Sequence, residues 1–181
     1  MAISVVMVAF TGSVLTGCSS SGPKPPPPPK PGPPFTYNIV LADTLQGEPI
    51  QVDVLKLGSL NRHFWETIAI TNYFAPDSRV RADAPVIEKF NMVTGKTYTI
   101  DLSNPQFKAI RYPDVYEIAV LANVPPAQGA EASSNDPRRL LLPLDPLKWK
   151  TKWPDNKRVI TITIKRSAGI DCDPNPVDKG Q

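Results

Sequence analysis

Apolar and polar residues alternate along two stretches of the chain, Ile50–Leu57 and Val159–Lys165. This period of two is typical of a strand with one buried face. Shorter or more uniformly apolar stretches predict further strands at Tyr37–Leu41, Lys89–Val93, Lys96–Leu102, Val115–Val124 and Arg138–Leu144. Val115–Val124 is longer and more apolar than the other predicted strands, so it is expected in the centre of a sheet. Thr94 and Gly95 predict a hairpin-like turn between two of these strands.

One segment has helical rather than strand spacing. Ser59 or Asn61 is a candidate N-cap for a helix covering about 62–74, which ends before Ala75-Pro76-Asp77. Together these patterns predict an all-β sandwich of about seven to eight strands with one inserted helix, over residues 35–170. Residues 171–181 are expected to form a flexible tail.

The N-terminus has the pattern of an export signal. Ala2 to Leu15 are apolar or small, and the first charge is Lys24. A membrane span needs about 20 apolar residues, so this stretch fits a signal-peptide core instead. The sequence Leu15-Thr16-Gly17-Cys18 then resembles a bacterial lipobox, which predicts a lipoprotein signal peptide over 1–17 and a lipid attachment site at Cys18. Met1–Ser4 carries no basic residue, which departs from an ordinary signal and is best explained by a start codon called too late. Ser19 after the cysteine favours the outer membrane.

A proline-rich segment separates Cys18 from the predicted domain. Nine prolines lie between Pro23 and Pro34, interrupted by Lys24, Lys30 and Gly32. Such a stretch adopts polyproline II at about 3.1 Å per residue, so residues 19–34 reach roughly 50 Å. We interpret residues 18–34 as an acylated, stiff tether; the alternative is a ligand for an SH3- or WW-type groove.

Composition excludes several kinds of chemistry. The chain has 181 residues with 20 basic and 17 acidic side chains, a balance of +3 that argues against a nucleic-acid partner. Two cysteines and one histidine leave too few ligands for most zinc or iron–sulfur sites. His63 and Cys172 are interpreted as structural or surface residues. No nucleophile motif or phosphate-binding loop is present, so we expect no catalytic residue, metal or cofactor and no enzyme activity.

Trp149 and Trp153 form the strongest candidate for an exposed site. They are interleaved with Lys148, Lys150 and Lys152. Aromatic rings beside cations could stack on a sugar or lie at a membrane interface. The same spacing also fits two indoles that hold a loop against the edge of the sandwich, and we favour this structural interpretation.

The order of these features resembles the outer-membrane lipoprotein family of the type VI secretion system. The resemblance covers about Tyr37 to Ile170. It rests on the strand Pro49–Leu57 with the helical 60–74 after it, the apolar strand Tyr116–Asn123, the run Arg138–Leu144 and the closing strand Ile160–Lys165.

The resemblance implies a transthyretin-like sandwich without catalytic activity, anchored to the outer membrane. It also implies a partner, the periplasmic domain of a large inner-membrane secretion subunit, contacted through the loop between the first two strands. Here that loop is Ala42–Pro49, which makes Asp43, Gln46 and Glu48 the predicted contact residues. Two other classes stay open: a periplasmic lipoprotein that binds glycan or peptidoglycan through Trp149 and Trp153, and a surface lipoprotein enzyme with unrecognised acids.

Overall fold

The structure is a computed structural model. It describes residues 35–42, 47, 49–111, 114–125, 134–149, 151, 153, 158–165 and 169–176. The predicted signal peptide, Cys18, the tether and the contact residues Asp43, Gln46 and Glu48 lie outside the described residues.

Strands dominate the described part of the chain. They are β1 (Phe35–Leu41), β2 (Ile50–Leu57), β3 (Val86–Met92), β4 (Thr97–Ile100), β5 (Glu117–Ala122), β6 (Arg139–Pro143), β7 (Arg158–Lys165) and β8 (Gly169–Asp173). One four-stranded sheet has the order β4-β1-β7-β8 and the other has the order β3-β2-β5-β6. All pairs are antiparallel except β1 with β7. The predicted all-β sandwich is confirmed.

The main core lies between the two sheets and the second core lies outside one of them. Val52 and Val54 of β2 point into the main core, whereas Leu55 and Leu57 of the same strand belong to the second. A helical insertion between β2 and β3 covers that outer face. Strand β5 is consequently buried on both faces, which explains why its sequence is apolar without alternation.

The insertion contains short helices rather than the predicted single helix over 62–74. They are α1 (Arg62–Thr67), α2 (Ile70–Tyr73) and α3 (Arg79–Ala82); α4 (Pro105–Lys108) and a 3-10 turn (Pro146–Lys148) lie elsewhere. The chain becomes extended at Ile68, with φ −59° and ψ 135°. The Arg139 guanidinium donates hydrogen bonds to the carbonyl oxygens of Glu66 and Ile68. These carbonyls therefore have a tertiary partner in place of the amides of the next helical turn.

Two further predictions were wrong. Strands β3 and β4 do not pair as a hairpin, because β3 bonds to β2 and β4 bonds to β1 in the opposite sheet. The turn at Gly95, with φ 80°, instead carries the chain across the sandwich. The tail predicted from residue 171 also begins too early, since β8 extends to Asp173 and pairs with β7. Its buried Ile170 and Cys172 alternate with exposed polar residues, which is the pattern of a strand with one buried face.

Candidate functional site

The strand register shows which strand ends lie together at each end of the sandwich. At one end β1 begins at Phe35 beside Arg158 of β7, and β2 finishes at Leu57 beside Glu117. We call this the tether end, because the proline-rich segment joins the chain there. The opposite, far end holds the finish of β1 at Leu41 and the start of β2 at Ile50. At that end the Ile170 amide donates to the Pro137 carbonyl oxygen at 2.7 Å, which joins the two sheets.

The predicted partner loop therefore begins and ends at the far end. Ala42 is fixed there by its amide, which donates to the Ile164 carbonyl oxygen at 2.9 Å. Gly47 is exposed, with φ 121°, a backbone conformation that favours glycine. Whether Asp43, Gln46 and Glu48 contact a partner remains a prediction.

A concave surface of about 560 Å³ lies at the same end, between the helical insertion and the segments that flank β5 and β6. It is lined by Thr71, Phe74, Ala75, Pro76, Asn123, Val124, Pro125 and Arg138. The Arg138 guanidinium is already paired with buried Asp136 at 2.7 Å and donates to Thr71 Oγ1 at 3.2 Å. The one charged side chain in this lining is therefore already engaged within the fold.

A buried ion pair fixes the insertion to the sandwich. Asp53, fully buried on the outer face of β2, accepts from Arg81 Nε at 2.8 Å and Arg81 Nη2 at 2.9 Å. The Tyr73 hydroxyl donates to the same carboxylate at 2.8 Å, and burial followed by the charge of Asp53 raises the pKa of Tyr73. The hydrogen bond to Asp53 likewise raises the pKa of Arg81. We call Asp53, Tyr73 and Arg81 the insertion latch.

Two more arginines reinforce this attachment. Arg62 Nε donates to Glu117 Oε2 at 2.7 Å, and the Glu117 side chain is almost fully buried. Arg139 donates hydrogen bonds to the carbonyl oxygens of Glu66 and Ile68, where the helical segment is interrupted. Sequence analysis missed all these contacts, because it assigned the polar residues of β2 and β5 to solvent. The signal available in the sequence is a carboxylate centred in an apolar strand, with arginines in the following segment.

Trp149 and Trp153 pack against the core, as the favoured structural interpretation expected, and they do not form the exposed aromatic site that was the other candidate. Trp149 is 5% exposed and lies in the main core. Its Nε1 donates to the Pro143 carbonyl oxygen at 3.1 Å, and its ring lies 5.7 Å from that of Phe35. Trp153 packs against the same core, 5.7 Å from Phe35. The structure brings the two indoles together as packing groups, because the apolar start of β1 offers them a surface to cover.

Cys172 is buried in the main core. Burial, followed by the charges of Asp171 and Asp173, raises the pKa of its thiol to about 11. A thiol held protonated in this way is a poor nucleophile near neutral pH. The structural interpretation of Cys172 agrees with this environment.

Two of the described carboxylates accept hydrogen bonds from backbone amides in turns. Asp101 accepts from the Ser103 amide at 2.7 Å and Asp145 accepts from the Leu147 amide at 3.0 Å, so both stabilise turns. Within the described ranges, no three His, Cys, Asp or Glu residues could hold a metal ion together. The helices described here are all too short or too polar to cross a bilayer.

Comparison with known proteins gives structural neighbours only. No family model matches the sequence, and no curated protein matches it either. The solved structure of Lip from Serratia marcescens, a membrane-bound component of the type VI secretion system, is 18% identical over 81% of this chain and 98% of that chain, with TM-score 0.42. The type VI lipoprotein TssJ1 from Pseudomonas aeruginosa is 12% identical over 81% of this chain and 100% of its own, with TM-score 0.42. A chain from the structure of the type VI protein TssM C-terminal domain from EAEC is 15% identical over 76% of this chain and 99% of that chain, with TM-score 0.43.

Lip and TssJ1 are both proteins of the type VI secretion system, the system named by the family resemblance of the sequence. At this identity and TM-score, the likeness carries no argument about function. The fold assignment rests on the strand pairing described above.

Proposed function

We propose that this chain is an outer-membrane lipoprotein that acts as a structural, partner-binding component of the type VI secretion complex. In this proposal the mature protein begins at acylated Cys18, and residues 18–34 hold the sandwich in the periplasm. The far end then contacts the periplasmic domain of a large inner-membrane subunit. The lipobox sequence and the family resemblance support the proposal, and no catalytic step is assigned.

One observation carries it: the tether and the predicted contact loop lie at opposite ends of the same strand. Strand β1 starts at Phe35, where the tether joins, and finishes at Leu41, where the Ala42–Pro49 loop begins. A strand of this length separates its ends by roughly 20 Å. An anchor at Cys18 would therefore present the loop away from the membrane.

Two sets of contacts hold together the frame that carries this loop. The insertion latch holds the helices to one sheet, and the Ile170–Pro137 hydrogen bond joins the sheets at the far end. A loop on a fixed frame loses little conformational freedom elsewhere when it binds, which suits a scaffold protein. Asp43 and Glu48 would pair with basic groups of the partner.

The glycan-binding alternative has no observation in its favour. It depended on exposed indoles at Trp149 and Trp153, and both rings pack against the core. Both indoles already contact the Phe35 ring, with ring centroids 5.7 Å apart.

The anchor is tested by replacing Cys18 with alanine. The Cys18→Ala variant should fold normally but leave the membrane fraction, because the acyl chains provide the stable attachment. Cys172→Ala is the matched control and should remain membrane-bound. A Cys18→Ala protein that still fractionates with the outer membrane would contradict the anchor, as would an unacylated N-terminal peptide in the wild type.

The contact loop is tested separately by pull-down with the partner's periplasmic domain. Combined alanine substitutions at Asp43, Gln46 and Glu48 should reduce recovery at least tenfold, since charged interface contacts are worth about 1–2 kcal/mol each. Alanine at the exposed Lys108 and Asp114, both near the tether end, is the control and should leave recovery unchanged. Equal recovery of the loop variant would discard this contact surface.

A further inference from the structure

Aromatic side chains meet at the point where the tether joins the sandwich. Phe35 is the first residue of β1, and its ring centroid lies 5.7 Å from that of Trp149 and 5.7 Å from that of Trp153. The Arg158 guanidinium lies over the same ring, 5.8 Å from its centroid. Phe35 and Arg158 are also partners in the register between β1 and β7. We call Phe35, Trp149, Trp153 and Arg158 the aromatic platform.

Two donor atoms of the aromatic platform need an acceptor. Trp153 Nε1 and Arg158 Nε are both buried, and neither has a hydrogen-bond partner among the residues that the structure describes. Trp149 differs, because its Nε1 donates to the Pro143 carbonyl oxygen at 3.1 Å and its backbone pairs with Pro176. Buried N–H groups are nearly always bonded, since a donor shielded from water without an acceptor is costly. Trp153 and Arg158 therefore indicate a further group that supplies carbonyl oxygens.

The tether has this chemistry and enters at this place. Pro33 and Pro34 directly precede Phe35 in the chain, and Pro31 and Pro34 have the P-x-x-P spacing of ligands for aromatic-lined grooves. Proline has no backbone N–H, and polyproline II makes no internal hydrogen bonds, so the carbonyl oxygens of such a segment stay available. The sequence pattern that suggested a ligand for an SH3- or WW-type groove thus has an aromatic surface beside it in the same chain.

We infer that the aromatic platform binds residues 31–34 of its own chain in polyproline II conformation. Trp153 Nε1 and Arg158 Nε donate to carbonyl oxygens of this segment. Because the segment adjoins Phe35, binding closes only a short loop and costs little chain entropy. Residues 19–30 then form the free stalk, which reaches roughly 40 Å, and the sandwich keeps a fixed orientation to the end of the stalk. This inference goes beyond the proposed partner-binding function and does not require it.

Hydrogen exchange of the tryptophan indoles tests the inference directly. The unacylated chain from residue 18 onward, with Cys18→Ser, is labelled isotopically at its tryptophan nitrogens for NMR. Pro33→Ser combined with Pro34→Ser should speed exchange of the Trp153 indole proton with water at least about fivefold, the factor that one hydrogen bond supplies. The exchange rate of the Trp149 indole proton should stay unchanged, because its acceptor is the Pro143 carbonyl oxygen.

A matched control separates contact with the platform from a general effect of removing prolines. Pro25→Ser combined with Pro26→Ser removes the same number of prolines from the start of the proline-rich segment. This control should leave the exchange rates of both indole protons unchanged.

A double-mutant cycle in urea identifies the donor. Trp153→Phe keeps an aromatic ring and removes the N–H. It should raise the unfolding equilibrium constant about fivefold more in the chain with the natural tether than in the Pro33→Ser, Pro34→Ser chain. Trp149→Phe is the control, and its effect should be the same with either tether.

Three results would overturn the inference. The first is Trp153 exchange that does not respond to the substitutions at Pro33 and Pro34, which would place the acceptor in another segment. The second is an equal response to the substitutions at Pro25 and Pro26. The third is a Trp153→Phe effect that does not depend on the tether. The test uses neither an acyl group nor a partner, so its outcome is independent of the anchor at Cys18 and of the contact at the far end.

Discussion

Removal of Arg81 is expected to destabilise the fold more than removal of an exposed basic residue. Asp53 is fully buried, and its described hydrogen-bond donors are Arg81, which contributes two bonds, and the Tyr73 hydroxyl. Arg81→Met leaves a buried carboxylate with one neutral donor. Breaking a buried pair in this way costs about 3–5 kcal/mol. The Arg81 side chain is 22% exposed, so the lower value of about 3 kcal/mol applies.

Urea and thermal unfolding measure this effect. A loss of about 3 kcal/mol corresponds to a fall in Tm of roughly 10 °C for a domain of this size. Asp53→Asn combined with Arg81→Met should cost less than the sum of the two single changes, because the second change removes the unpaired charge that the first creates.

The exposed pair between Lys165 and Asp171 provides the matched control. Its side chains are 43% and 57% exposed, and Lys165→Met should change the free energy of unfolding by less than about 1 kcal/mol. If Arg81→Met is no more destabilising than Lys165→Met, the insertion latch does not hold the helical segment, and the reasoning fails.

Further substitutions test other parts of the structure. Trp149→Ala should lower the free energy of unfolding by about 4 kcal/mol, measured in urea, because a buried indole is lost; a change near zero would show that the ring is not in the core. In the Cys18→Ser variant Cys172 is the one thiol. Its alkylation near pH 8 should be roughly a hundredfold slower than that of a cysteine in a short peptide, because its thiol pKa is about 11. Alkylation of Cys172 as fast as that of the peptide cysteine would refute this. The same raised pKa predicts stability that is full below about pH 9 and falls as the pH rises to about 11. Gly169→Ala should destabilise by at least about 2 kcal/mol, because φ is 77° and the new Cβ would lie 2.0 Å from the Pro137 carbonyl oxygen. Gly47 has φ 121° and open space around it, so Gly47→Ala should lower the free energy of unfolding by only about 1 kcal/mol. If Gly47→Ala and Gly169→Ala lower it equally, the close approach at Gly169 is contradicted.

The strands of the sandwich could be predicted because their signal is local. Ile50–Leu57 alternates with a period of two and forms β2 with the predicted bounds. The apolar stretch around β5 predicted a central strand, and β5 pairs on both sides. In both cases the local pattern predicts the strand, whereas the burial of the outer face of β2 depends on the helical insertion that covers it.

Features that depend on distant parts of the chain could not be predicted. The helical segment is interrupted at Ile68, where Arg139 of β6 donates a hydrogen bond to the Ile68 carbonyl oxygen. The sequence around Ile68 does not indicate this distant partner. Asp53 appears in sequence as the polar position of an amphipathic strand, and its burial depends on Arg81 arriving from α3. The spacing of Trp149 and Trp153 fits either an exposed site or a packed loop, and their contacts with Phe35 support the packed loop. Local patterns specify elements, whereas pairing between elements decides which polar groups and aromatic rings are buried.

The central claim is that the far end of an acylated domain contacts the partner. Site-specific photo-cross-linking in intact cells tests it most directly, with the cross-linking residue placed at exposed Gly47 at the far end or at exposed Leu102 at the tether end. We predict an adduct with the large inner-membrane subunit from position 47 and none from position 102. Adducts from position 102 alone, or no adduct with that subunit from either position, would contradict the claim.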